Sequence, residues 1–186
     1  MDLHKVDLKS FDDRQYHQLG GRLHHEMGFW LEIVTLVIPG FNDSDDELWR
    51  LTEFIASVST DIPWHTTAFH KDYKMTDPDN TSAQTLMRAA EIGRKSGLHY
   101  IYAGNLPGEV GDFESTRCHN CRQILVERYG YLITGYQLTS TGCCPSCATR
   151  VPGRWCRAFE GQITAHPFRP SARSSLFSIL SPSGSM

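Results

Sequence analysis

Two cysteine pairs, "CHNC" at 118–121 and "CPSC" at 144–147, constrain this chain more than any other feature. A C-x2-C turn can aim two thiolates at one ion, and two such turns complete a tetrahedral site of four sulfurs. Cys118, Cys121, Cys144 and Cys147 are therefore the expected metal ligands. The spacer of 22 residues between the pairs is a little longer than the commonest pattern. Within it, "QILVERYGYLITGYQL" reads as two β-rich runs turning at Tyr129-Gly130, so a hairpin would bring the knuckles together. Zinc is the first expectation because it needs no redox partner, with a rubredoxin-like iron as the alternative. Cys143 and Cys156 are not expected as ligands, and His119 is expected to be exposed rather than coordinating. Arg122 and Ala148 follow the knuckles at positions where a glycine would best serve the tight turn.

Charge divides the chain. Residues 1–116 carry 10 Lys/Arg against 19 Asp/Glu, whereas residues 117–157 carry six arginines and one acid, Glu127. That asymmetry predicts two modules, the second able to meet an acidic partner or simply displaying solvated arginines. Apolar content of 40% suits a globular protein with a packed core. No stretch approaches the roughly 20 apolar residues that span a bilayer, so a membrane location is not expected. The first residues lack the pattern of a secretory signal, which makes the cytoplasm the expected compartment and ligation the expected use of the cysteines.

Ahead of the cysteines the pattern alternates between strand and helix. In "LHKVDLK", Leu3, Asp7 and Lys9 would share one strand face, with Val6 and Leu8 on the other. Asp12 to Met27 has weak helical spacing. "FWLEIVTLVIPG" is an almost continuous apolar run stopped by Pro39-Gly40, as expected of a strand buried on both faces. "NDSDDELWRLTEFIASVS" predicts a helix with Ser44 and Glu47 as a capping box and a buried stripe of Leu48, Leu51, Ile55 and Val58. "IPWHTTAFH" reads as a strand ending at His70. A second helix is expected from about Thr81 to Lys95, capped by Thr81 with Gln84 and stopped at Gly97, its inward stripe Leu86, Ala89, Ala90 and Ile92. "LHYIYAG" is a further strand. Such alternation predicts an α/β fold with a parallel sheet, an arc rather than a closed barrel.

Ligands of parallel α/β folds gather at the C-terminal strand ends. Asp7, Lys9, Pro39-Gly40 and His70 fall there.

"VDLK", "LVIPGFND" and "AFH" stand in the order of the fourth, fifth and sixth strand motifs of glycyl-radical-enzyme activating proteins. "DIPWHTTAFHKDYKM", "AAEIGRKSGLHYIYAGNLPG" and "GRW" tighten the likeness, and residues 3–155 resemble the AmmeMemoRadiSam system radical SAM enzyme, a pyruvate formate-lyase activating enzyme-like family. The resemblance implies a partial TIM barrel of which this chain holds the C-terminal half, starting at the fourth strand. It implies a [4Fe-4S] cluster, held in the family by a CxxxCxxC loop, and S-adenosylmethionine as cofactors of the full-length form. By the same resemblance Lys9 and His70 would hold S-adenosylmethionine, Asp7 would belong to the polar site beside it, and Leu36 would lie against the adenine.

The departures bear on function. No CxxxCxxC occurs: Cys143 and Cys147 have the first spacing, but position 150 is arginine. Between "LGGRL" and "FWLEI" the chain is shorter than the family by roughly one crossover helix. The expected organisation is thus 1–115 as the C-terminal half of a radical SAM barrel, 116–156 as a small β module of the zinc-ribbon type, and 157–186, rich in serine and proline, as a disordered tail. The expected function is that of a truncated radical SAM enzyme on an unknown substrate, inactive alone, its missing strands supplied by another polypeptide if at all. The competing expectation is a non-enzymatic zinc-ribbon module for a protein or, less favoured, a nucleic-acid partner.

Overall fold

The computed structural model of the chain describes residues 3–7, 30–153 and 155. Lys9, the weak helical segment 12–27, Cys156 and the segment 157–186 lie outside the described residues.

Four strands, β1 (Leu3–Asp7), β2 (Trp30–Val37), β3 (Trp64–Ala68) and β4 (Ile101–Gly104), form one sheet in the order β1-β2-β3-β4, every pair parallel. Helix α1 (Asp45–Val58) links β2 to β3, and α2 (Ala83–Lys95) links β3 to β4. Spatial order equal to chain order means that the sheet never reverses its winding direction. Both helices therefore meet one face, where Leu31, Ile33, Trp64 and Ile101 pack against Leu48, Leu51 and Ile55 of α1 and Ala89, Ala90 and Ile92 of α2. Trp64 is fully buried at the centre, its Nε1 donating to Thr35 Oγ1 at 3.0 Å. A Cβ at Gly93 would stand 2.8 Å from the Trp64 ring, so α2 approaches the sheet as closely as it does only because that position has no side chain.

The apolar run of β2 behaves differently from the expectation of a strand buried on both faces. Burial alternates strictly: Leu31, Ile33, Thr35 and Val37 are buried, while Trp30, Glu32, Val34 and Leu36 are half-buried. The described helices cover one face; on the other, Glu32, His65 and Tyr102 project from β2, β3 and β4 and line a cavity. Lys5 of β1 stands in register with Glu32, and Asp7 with Val34, on this same face.

Both helix starts are capped by serine. Ser44 Oγ accepts from the Glu47 amide at 3.3 Å, as the sequence predicts, with Asp45, Asp46 and Glu47 on the positive helix end. For α2 the cap is Ser82, which accepts from Thr85 N at 3.1 Å, rather than Thr81. Thr81 is committed elsewhere: buried, it donates to Val37 O at 2.6 Å and accepts from Phe69 N at 3.0 Å, tying the ends of β2 and β3 together. Burying that hydroxyl requires both bonds, and they displace the helix start by one residue. At the other end Gly97 adopts φ +96°, and Leu98 N bonds back to Gly93 O at 3.1 Å, closing the helix as predicted.

Strands β5 (Thr116–Arg117), β6 (Ile124–Tyr129) and β7 (Leu132–Tyr136) form a second, antiparallel sheet. β6 and β7 are a hairpin turning at Gly130-Tyr131, Gly130 at φ +57°. The Glu114 carboxylate latches this turn to the loop after β4, accepting from Gly108 N at 3.1 Å and from Gly130 N. One buried cluster spans both sheets: Tyr100, at the entry to β4, packs with Cys118, Leu125, Val126, Leu138, Cys144 and Val151.

Candidate functional site

The hairpin returns the chain so that Cys118, Cys121, Cys144 and Cys147 converge, all four sulfurs within 4.8 Å of one another. Each knuckle has the same backbone frame. Arg122 N bonds Cys118 O and Ala148 N bonds Cys144 O, both at 2.9 Å, while Cys118 N and Cys144 N bond Gln123 O and Thr149 O at 2.9 and 2.8 Å. To close these turns Arg122 and Ala148 take φ +63° and +58°, the left-handed conformation that glycine would adopt without cost.

The donor geometry discriminates between occupants. Sulfurs about 2.3 Å from a tetrahedral zinc lie roughly 3.8 Å from each other. Cys118 Sγ to Cys147 Sγ and Cys121 Sγ to Cys144 Sγ are both 3.6 Å. The four thiolates thus fit a single tetrahedral ion. They do not fit a [4Fe-4S] cluster, which spreads its ligands over separate irons instead of closing them on one point. Thr149 supports the anionic form: its hydroxyl, 3.2 Å from Cys147 Sγ, and its backbone amide stabilise that thiolate and lower the Cys147 pKa to about 6. Against a bond from the Gln123 backbone, the crowding of Cys147, Cys144 and Cys118 pushes the Cys121 thiol up to about 12. Four thiols packed this closely cannot all ionise without a cation among them, and a bound dication would release their protons.

His119 is neither a ligand nor exposed. Half-buried, it accepts or donates at Nδ1 with Tyr100 OH at 3.0 Å and stacks on His99, ring centroids 4.3 Å apart. Burial and the neighbouring His99 lower its pKa. Cys143 pairs its backbone with Arg150 and stays outside the four-sulfur group.

At the C-terminal strand ends the expected residues are spread more widely. Asp7 closes β1 and is exposed; Leu36, half-buried, pairs with Thr67; His70 lies in the loop two residues beyond β3 and is exposed. The turn after β2 is held by Asn42, whose Oδ1 accepts from Ile38 N at 2.7 Å and whose Nδ2 donates to Leu36 O at 2.9 Å. No described helix is long and apolar enough to cross a membrane.

The sheet face away from the helices carries a polar pair, Glu32 with His65, that the sequence motifs do not bring together. Glu32 Oε2 meets His65 Nε2 at 3.1 Å, and Glu32 Oε1 accepts from Trp30 Nε1 at 3.1 Å. The bond from His65 is the main reason the Glu32 carboxyl titrates below the ordinary range, outweighing its partial burial. The signal was present as one acid within an apolar strand and one histidine on the next.

No family model matches the chain. It is 38% identical over 109 residues to the uncharacterized protein MJ0808 of Methanocaldococcus jannaschii, a match covering 58% of this chain and 32% of that protein. The chain thus spans about a third of the length of this curated relative. Among solved structures, it is similar to a domain of pyruvate-formate lyase-activating enzyme from Bacteroides vulgatus, with 19% identity and a TM-score of 0.41, covering 56% of this chain and 68% of that one.

Proposed function

We propose that this chain is the part of a radical SAM enzyme of the AmmeMemoRadiSam type that carries the later strands of a partial TIM barrel and a zinc-binding ribbon. The observation that carries this reading is the singly wound parallel sheet, its described helices on one face and a cavity on the other, that runs directly into a four-cysteine site. That winding is what an arc of a barrel requires. The strand motifs quoted above supply the family. In such enzymes the cluster and S-adenosylmethionine together supply reductive cleavage of the sulfonium. Here Lys9 and His70 would hold the cofactor, with Asp7 at its polar end and Leu36 against the base. A sequence without CxxxCxxC assigns no cleavage step to this chain, whose four ribbon sulfurs close on one ion. We place the barrel segment at 1–115 and the ribbon at 116–156.

Two measurements test the reading. Equilibrium dialysis should detect weak S-adenosylmethionine binding that a Leu36→Asp, His70→Ala variant loses; equal binding by both proteins would remove the cofactor assignment. Reduced with dithionite in the presence of iron and sulfide, the chain should yield no 5′-deoxyadenosine above a no-protein control. Yield above that control would overturn the proposal that it is inactive alone.

A second reading, a non-enzymatic ribbon that binds a protein, draws support from the β6–β7 hairpin, where Tyr129, Tyr131, Leu132, Ile133 and Tyr136 are exposed. Loss of partner capture on substituting these residues, with no S-adenosylmethionine binding by the parent chain, would favour it.

A further inference from the structure

A cavity of about 590 Å³ lies between the helix-free face of the parallel sheet's described part and the β6–β7 hairpin. Its volume is that of a small-molecule site, and its walls are largely apolar and aromatic with a few polar groups converging. Leu36, Asp7 and His70 do not line it, so it is distinct from the strand-end residues discussed above.

Three side chains give it a chemical sense. Arg128 enters from β6, its Cζ 5.7 Å from the centre of the Tyr102 ring. One donor, Nη1, goes to Thr116 Oγ1 at 2.6 Å, and no carboxylate of a described residue lies within ion-pair distance of the guanidinium. The two acids lining the cavity are engaged elsewhere, Glu114 by the amides of Gly108 and Gly130 and Glu32 by His65 and Trp30. The Arg128 guanidinium, without an ion-pair partner among the described residues, is therefore a receptor for a carboxylate or a similar planar anion. Across the cavity, Glu32 Oε2 meets His65 Nε2 at 3.1 Å. The other ring nitrogen, Nδ1, makes no hydrogen bond to a described residue and is left for a ligand. Between the two, the His65 ring stacks on Tyr102 with centroids 4.9 Å apart and planes 24° apart, and Thr116 fixes the Tyr102 hydroxyl at 2.9 Å. The aromatic wall is therefore held in place before any ligand arrives.

We propose that this cavity binds a small aromatic carboxylate: the carboxylate on Arg128, the ring along the wall formed by Tyr102 and His65, and a polar ring substituent hydrogen-bonded to His65 Nδ1. A neutral ligand would leave the guanidinium desolvated without an anion, which opposes its entry.

Isothermal titration of the full chain with 4-hydroxybenzoate tests this directly, with 4-hydroxybenzamide as the neutral control. The expected result is binding of the acid and at least about tenfold weaker binding of the amide, the loss that follows from one charge-assisted contact. Arg128→Met should weaken the acid by about the same factor and leave the amide unchanged, while Arg128→Lys recovers part of the loss. Melting temperature and metal content of each variant confirm that the fold persists. Equal affinity for acid and amide, or no binding of either by the parent chain, would overturn the proposal.

Discussion

The imidazole of His99 lies flat against that of His119, centroids 4.3 Å apart and planes 10° from parallel. His99 belongs to the segment entering β4 and is anchored by Asp61, whose Oδ1 lies 2.8 Å from its Nδ1. His119 sits inside the first cysteine knuckle and meets Tyr100 OH. The pair therefore adds a direct contact between the four-cysteine site and the segment entering the parallel sheet, alongside the buried cluster that includes Tyr100.

A double-mutant cycle measures that joint. His99→Ala and His119→Ala should each destabilise the chain, and a coupling of about 0.5–1 kcal/mol is expected between them, as for other stacked rings. Additive losses in denaturant melts would mean that the stack contributes nothing.

Arg122 and Ala148 bear the left-handed turns of the two knuckles. A left-handed residue with a Cβ costs roughly 1–2 kcal/mol, and glycine gives back about 0.5–1 through its greater freedom in the unfolded chain. Ala148→Gly should thus raise stability by up to about 1 kcal/mol without changing metal stoichiometry. A lower melting temperature would contradict the assigned backbone.

Gly93→Ala should act in the opposite direction. The new methyl would meet the Trp64 ring at 2.8 Å, in the centre of the core, where neither backbone nor ring has room to retreat. Overpacking of this kind costs about 1–3 kcal/mol. An unchanged melt would show that α2 lies further from the sheet.

How far was this legible in the residues alone? The cysteine spacing announced the four-sulfur site, because a pair of short turns leaves few other outcomes, and Ser44 announced the start of α1. Thr81 misled: its spacing to Gln84 imitates a cap, but its hydroxyl is bound to Val37 and Phe69, a contact made across 44 residues that no local pattern records. The covered side of β2 could not be told from the open side, since Val34 and Leu36 are as apolar as their buried neighbours. His119 was expected to be exposed because its partners, His99 and Tyr100, come from another sheet.

Glu32 gives a pH dependence. Its folded pKa is lowered, chiefly by the bond from His65, so its contribution is fully present above the ordinary glutamate pKa and is lost as pH falls through the lower folded value. Glu32→Gln should cost about 1 kcal/mol at neutral pH, modest because the pair is partly solvated, and progressively less in acid. A penalty that stays constant down to acid pH would contradict the charged assignment.

The central claim is that Cys118, Cys121, Cys144 and Cys147 form one single-ion site. Native mass spectrometry of the full chain, purified from zinc-supplemented medium, tests it most directly, with a Cys118→Ser, Cys144→Ser variant beside it. About one zinc per chain is predicted for the parent and none for the variant, since the removal of two opposed thiolates leaves too few ligands to hold the ion. Full zinc stoichiometry in the variant, or a mass matching four irons with sulfide in the parent, would contradict the account.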